Sequence, residues 1–241
     1  MGGAFVALAD DTTAGFWNPA GLAGLPGLRL LRALSLVGPS SLEDLRFYAA
    51  SATLGATTLA GTFAHKSFLR GIVQDERTLL IGSVAMHMGL LASGAVNLKF
   101  YEHILAGHKA RGVGIDGGLL LRPAGPLAVG VVFRDAIGTK LRREDETLPP
   151  QEIPPSISLG VALKLWGLRI AVDLDLVKQA WGQPRFGLEA RPFGLLALRV
   201  GKNGDNWTAG FGLGIENLIS VDVMLSGGTW LISTELILFG F

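Results

Sequence analysis

From residue 28 onward, apolar and polar positions alternate with period two in runs of about ten residues, the spacing of strands with one greasy face. In 156–165, Ile157, Leu159, Val161, Leu163 and Leu165 alternate with Ser156, Ser158, Gly160, Ala162 and Lys164. Leu168, Ile170, Val172, Leu174 and Leu176 alternate with Arg169, Ala171, Asp173 and Asp175, and similar runs surround Ile115 and Phe211. The pattern predicts strands at 28–37, 44–54, 56–66, 77–88, 90–102, 111–122, 126–136, 155–166, 168–177, 184–191, 194–202, 206–215, 217–226 and 229–241, fourteen in all. Residues 1–27 fall outside it.

The connections carry a second pattern. Tight turns are expected around Gly55, Gly89, 123–126, Gly167, 192–194 and 216–217. Longer loops are expected at 38–43, 67–76, 102–110, 137–154 and 178–183. Short turns at one end and longer loops at the other are the habit of transmembrane barrels. A Greek-key sandwich has no reason to keep that alternation. An even strand count puts both chain ends on the short-turn side. Trp207, Trp230, Phe100, Tyr101, Phe133 and Phe186 fall near the long-loop ends, and Trp166, Phe193, Phe239 and Phe241 near the short-turn ends, as two interfacial girdles would require. Residues 47–64 and 78–98 carry no formal charge and approach the length of a spanning helix. Their Gly, Ser and Thr content, with His87 and Asn97 in the second, favours strands.

Composition supports a non-aqueous surrounding. Apolar residues make up 49% and charged residues only 17% of 241, with 34 glycines; mean hydropathy is +0.42. The formal net charge of +1, without a basic cluster, gives no reason to expect a nucleic-acid partner. The chain has no cysteine. Its start lacks a basic n-region and a cleavage site, so for an exported protein a processed or truncated form is expected.

With apolar positions turned to lipid, the inner face carries charges of both signs. Asp116, Arg122, Arg134, Arg169, Asp173, Asp175, Glu189, Arg199 and Glu216 are the principal members of an expected lumen network, joined by Lys99, Lys164, Arg185, Arg191, Asp222 and Glu235. Unpaired buried charges are costly, so these should be paired or wet. Residues 1–27 are too apolar to dangle in water and too broken to span a membrane. They are expected to fill the barrel as a plug, with 28–241 forming the barrel itself. Asp10, Asp11, Thr12 and Thr13 are N-cap candidates for a short helix running toward Trp17, with cation binding the alternative for the two carboxylates. Pro19 biases Asn18 away from helix and should end it.

The last strand, TWLISTELILFGF, mixes parities: Trp230, Ile232, Leu236 and Leu238 share one face, while Ile237, Phe239 and Phe241 share the other. A bulge near its end, or a last turn leaving the sheet, would reconcile them. An aromatic C-terminus on an amphipathic strand resembles the signal for insertion of outer-membrane proteins, with Phe239 and Phe241 as its candidates.

The run GGAFVALADDTTAGFWNPAGLA, with its Trp17-Asn18-Pro19-Ala20-Gly21 core, resembles the N-terminal motif of PorV/PorQ-type outer-membrane proteins, a group similar to the FadL hydrophobic-compound transporters. RGVGIDGGLLLRPAGPLAVGVVFRDAIG and PPSISLGVALKL resemble the same family, so the likeness spans nearly the whole chain. It implies a fourteen-strand all-β barrel with an N-terminal plug in the bacterial outer membrane, surrounded by outer-membrane lipid. It further implies a scaffold role beside another envelope or surface protein, in secretion or cell-surface assembly. The alternative is a FadL-like passive transporter of small hydrophobic molecules. The outer loops are much shorter than those from which FadL-like transporters build their ligand surface.

No catalytic constellation is visible. Gly112, Gly114 and Gly117 match a dinucleotide-motif spacing but lie within a strand with no helix after it. There is no G-x-S-x-G elbow. His65, His87, His103 and His108 show no metal-ligand spacing. The charged run 142–146 reads as a solvated loop face. Neither an enzyme nor a cofactor nor a metal is expected.

Overall fold

A computed structural model describes residues 1–36, 43–70, 73–123, 125–144, 149–178, 180–215, 218–226 and 228–239. A short helix α1 (Ala14–Trp17) and a 3₁₀ turn (Pro19–Gly24) precede seventeen strands. These are β1 (Leu28–Leu36), β2 (Glu43–Leu54), β3 (Thr57–Arg70), β4 (Val73–His87), β5 (Ala92–Leu105), β6 (His108–Leu121), β7 (Leu127–Arg134), β8 (Thr139–Arg143), β9 (Gln151–Ile153), β10 (Ser156–Leu165), β11 (Leu168–Val177), β12 (Ala180–Trp181), β13 (Arg185–Ala190), β14 (Leu196–Asn203), β15 (Asn206–Ile215), β16 (Ile219–Ser226) and β17 (Thr229–Phe239).

Every pairing is antiparallel. β7 pairs directly with β10, and β11 with β13, so β8, β9 and β12 are side pieces in the loops between ring strands. The remaining fourteen close when β1 pairs with β17 from Leu28↔Phe239 to Leu36↔Trp230. Each of the fourteen predicted segments coincides with one ring strand. The charge-free stretches 47–64 and 78–98 lie in hairpins, and no helix among the described residues is long and apolar enough to cross a membrane.

The barrel is apolar on the outside. Along β5, Val96, Leu98 and Phe100 are 56%, 43% and 46% exposed, while Asn97 and Lys99 between them are buried. In water this arrangement would forfeit the hydrophobic driving force. In a bilayer it places the greasy face on lipid and leaves no unpaired strand edge in the ring. The chain is a membrane-spanning antiparallel β-barrel.

The alternation of tight turns and long loops does not hold strictly. β3 and β4 continue through 67–76 to the pair Arg70↔Val73, and β5 and β6 continue through 102–110 to Leu105↔His108. Ala106 and Gly107, with φ of 50° and 84°, turn the second hairpin in two residues. Strands of 14 or 15 residues are roughly 50 Å long, more than a tilted strand needs to cross an apolar band of about 25 Å. Their ends therefore stand in the aqueous phase. Polarity there read as loop in the sequence, but cross-strand ion pairs such as Glu102–Lys109 at 3.0 Å and Glu102–Arg111 at 2.8 Å accompany the continued ladder. The expected loop at 137–154 likewise contains the β8–β9 hairpin, whose first strand pairs with the end of β6 through Arg111↔Arg142. Arg142 and Arg143 thus belong to a strand, although Arg142 remains exposed as expected.

Of the two ways to reconcile the faces of the last strand, the structure has the bulge. The β1–β17 register passes from Leu28↔Phe239 to Arg29↔Ile237, leaving Leu238 unopposed. Phe239 ends the strand by backbone pairing, and Phe241 lies outside the described residues. Among the predicted girdle aromatics, Trp207, Trp230, Phe100, Phe133 and Phe186 at one end and Trp166 and Phe193 at the other are exposed on the outer wall. Tyr101 is the exception: its parity turns it inward, where its hydroxyl donates to Asp135 at 2.9 Å. A phenol near buried carboxylates finds a better partner there than at the lipid boundary.

Candidate functional site

The barrel interior offers a row of small side chains. Cross-strand register aligns Ala128, Ala162, Ala171, Gly187, Gly201 and Thr208 across β7, β10, β11, β13, β14 and β15. One row along, Gly130 faces Gly160, which faces Asp173. The N-terminal segment lies against this surface. A Cβ on Gly160 would sit 2.8 Å from Val6 Cβ, one on Gly187 2.8 Å from the Met1 carbonyl oxygen, and one on Gly201 2.8 Å from Gly2 Cα. On β6, a Cβ on Gly118 would fall 2.9 Å from Pro19 Cγ. Inward glycines thus make room for chain rather than for water. Ala4, Val6, Ala7, Leu8 and Ala9 are wholly buried, with Ala4, Ala7 and Leu8 packed on Ala128, Ala162 and Ala171.

The segment bonds part of its own backbone through local turns, such as Ala9 N–H to the Phe5 carbonyl at 2.9 Å, and the barrel wall meets polar groups that these turns leave open. Asp173 Oδ2 on β11 accepts the N–H groups of Phe5 and Val6 at 2.7 and 2.8 Å. Thr208 Oγ1 on β15 accepts Gly2 N–H at 2.9 Å. Asn97 Nδ2 on β5 donates to the Gly15 carbonyl at 2.8 Å. Arg134 on β7 donates to the carbonyls of Phe16 and Trp17 at 2.9 and 2.8 Å, closing the C-terminal end of α1. Glu235 on β17 accepts the Thr12 N–H at 3.1 Å as well as its hydroxyl.

Within the segment, Asn18 is the hub. Its extended backbone (φ −149°, ψ 103°) ends α1 as Pro19 requires. Its fully buried amide donates to Val6 O at 2.8 Å and Leu119 O at 3.2 Å, and its Oδ1 accepts Ala20 N–H at 3.1 Å, with Pro19 opening the 3₁₀ turn. Trp17 meets Phe16 and Phe5 edge-on at centroid distances of 5.3 and 6.5 Å.

The two aspartates differ from expectation. Thr13 stands at the helix N-cap without a capping side-chain bond, while Asp11 Oδ1 accepts both the Thr13 N–H at 2.8 Å and the Thr13 hydroxyl in a local turn. Asp10 caps nothing: it binds Lys164 at 3.1 Å and Arg169 at 2.8 Å, because two cations on neighbouring strands outweigh one helix terminus. Burial, reinforced by the neighbouring Glu235 and Asp10 carboxylates against the hydrogen bonds from Thr13, pushes Asp11 up to about 7, although the residue keeps partial exposure.

Most of the lumen charges among the described residues are paired. Glu189 lies between Arg169, Arg191 and Arg199, at 3.3 and 2.8 Å from the first two, and Arg199 also binds Asp222. Arg185 joins Asp175 at 2.7 Å, and Asp175 takes the Ser158 hydroxyl at 2.6 Å. Lys99 sits between Asp116 at 2.6 Å and Asp135 at 2.8 Å, all three buried. Of the predicted network, Asp116, Arg134, Arg169, Asp173, Asp175, Glu189 and Arg199 line the interior. Arg122 is half-buried just past β6, has no ion pair among the described residues, and lies near Gly24. Glu216 lies outside the described residues.

Charge counting missed Asn97 and Thr208, which are uncharged, and Asp135, which follows the end of β7 in a left-handed conformation (φ 48°). Only period-two parity, Asn97 sharing a face with Lys99, pointed to the first of these. No group of three metal-ligating side chains occurs among the described residues.

No protein-family model and no curated protein matches the chain. Solved structures do. It is similar to the Ralstonia pickettii toluene transporter TbuX (13% identity, TM-score 0.76, covering 99% of this chain and 97% of that one). It is similar to the CymD monoaromatic hydrocarbon channel (12%, TM-score 0.75, covering 97% and 94%). It is also similar to a Pseudomonas aeruginosa FadL homologue (10%, TM-score 0.68, covering 97% and 96%). At these identities the likeness establishes a shared fold, the fourteen-strand antiparallel barrel.

Proposed function

We propose that this chain is a bacterial outer-membrane channel for small hydrophobic molecules, monoaromatic hydrocarbons among them, with residues 1–27 as a plug seated in the barrel of 28–241. The observation that carries the reading is the N-terminal segment itself. It is bonded by inward side chains of β5, β7, β11, β15 and β17 inside a barrel whose fold is that of channels and transporters for such compounds. A wall of Gly and Ala suits a segment that must shift: it holds the chain by many small contacts and few interlocking side chains. The same reading makes the protein a conduit and not an enzyme. The solved structures named above support the conduit reading better than a scaffold role beside a second envelope protein, as in PorV-type systems.

Reconstitution into liposomes tests the proposal. Toluene uptake should exceed that of protein-free vesicles and rise further when residues 1–25 are removed. Uptake equal to empty vesicles for both forms, with β-barrel circular dichroism intact, would overturn it. Equal uptake by the full and truncated chains would remove the plug role alone.

A further inference from the structure

A cleft of about 720 Å³ opens on the outer wall where β8 folds back beside the end of β6. Leu80, Phe100 and Val113 form its floor, neighbours by register (Leu80↔Phe100, Phe100↔Val113), each about half exposed. Arg111, Lys140 and Arg142 form its rim. On the outer face, β5 changes from apolar to charged between Phe100 and Glu102, and β6 does so between Val113 and Arg111. The cleft therefore straddles the lipid–water boundary at the end of the barrel away from Leu28 and Phe239, where the first strand begins and the last one ends.

The rim carries an unbalanced charge. Arg111 and Arg142 are directly paired across β6 and β8. Like charges in that relation repel. Glu102 is shared between Arg111 and Lys109 at 2.8 and 3.0 Å, and Lys140 reaches Glu152 at 3.6 Å with both side chains largely in solvent. Arg142 has no ion pair among the described residues. Among the residues lining the cleft, three cations, Arg111, Lys140 and Arg142, thus face one carboxylate, Glu102, above an apolar floor, an arrangement complementary to an anion attached to a hydrocarbon chain.

We infer that this cleft binds an anionic phosphate lipid of the outer-facing leaflet. Its phosphate would bridge Arg142, Arg111 and Lys140 while an acyl chain lies over Leu80, Phe100 and Val113. A bound phosphate would neutralise the paired arginines and brace β8 against β6. The inference rests on the membrane-spanning fold and is independent of what passes through the lumen.

Native mass spectrometry of the full chain in mild detergent tests it, with phosphatidylglycerol, phosphatidylcholine of the same acyl chains, and sodium phosphate as separate probes. Phosphatidylglycerol should be retained as a single adduct in preference to phosphatidylcholine. The variant Lys140→Ala/Arg142→Ala should weaken it roughly tenfold to thirtyfold, the worth of two surface cations, whereas Arg32→Ala, an exposed cation on β1, should not. Free phosphate should fail to displace the lipid, since it lacks the chain that the floor receives. Equal retention of the two lipids, an unchanged preference in the double variant, or displacement by free phosphate would each overturn the inference. Toluene uptake by the double variant separates this site from the channel reading: it should match that of the unaltered chain.

Discussion

Asp173 of β11 accepts the backbone N–H of Val6 at 2.8 Å, and the same oxygen takes the N–H of Phe5 at 2.7 Å. A strand side chain thus performs the work that a β-ladder would do for an otherwise unpaired segment. Asp173→Ala leaves two buried N–H groups without an acceptor, at about 1–3 kcal/mol each. Hydrogen exchange at residues 4–8 should accelerate markedly while exchange in β11 stays slow. Unchanged protection at Phe5 and Val6 would mean that packing alone holds the segment.

Gly160 tests whether small wall residues seat the segment. Its Cβ would meet Val6 Cβ at 2.8 Å and Ala7 N at 2.9 Å, whereas nothing lies within 4 Å of a Cβ on outward-facing Gly117. Gly160→Ala should cost about 1–3 kcal/mol of overpacking and expose residues 1–27 to protease. Gly117→Ala should leave protease resistance unchanged.

Asp11 makes the seating pH-dependent. Its pKa of about 7 in the docked segment lies above its ordinary 3.8, so the protonated form favours docking. The contribution is complete below about 4 and is lost as pH rises through about 7. The surrounding charges are Glu235 and its partner Arg29, and Asp10 with Lys164 and Arg169. Protease protection of 10–14 should therefore fall from pH 5 to pH 8, and Asp11→Asn should flatten that profile. A slope that persists in Asp11→Asn would overturn the assignment to Asp11.

Lys99 neutralises Asp116 and Asp135 in a site closed to water. Lys99→Met leaves two buried carboxylates side by side, a loss of about 3–5 kcal/mol. Its apparent melting temperature should drop well below that of Arg46→Ala, which removes an exposed pair with Asp44 worth at most about 1 kcal/mol.

The barrel was legible in the sequence because lipid and lumen impose opposite chemistry on successive residues. Val96 and Asn97, or Leu98 and Lys99, carry that demand in their own side chains. Strand number, the meeting of Leu28 and Phe239 at one end and an irregularity before Phe239 followed from that parity, whereas Met1 and Gly2, beside Lys202 and Thr208, lie toward the other end. The N-terminal helix stop at Asn18 was legible for a local reason, the steric demand of Pro19. The extent of β3 to β6 beyond the membrane was not, since a polar strand in water has the composition of a loop until its cross-strand partners are known. Nor were the partners of the N-terminal segment. That Asp10 meets Lys164 and Arg169, that Asp173 takes Phe5 and Val6, and that Gly160 clears a path for Val6 all depend on ring closure, which brings residues more than a hundred positions apart within hydrogen-bonding reach.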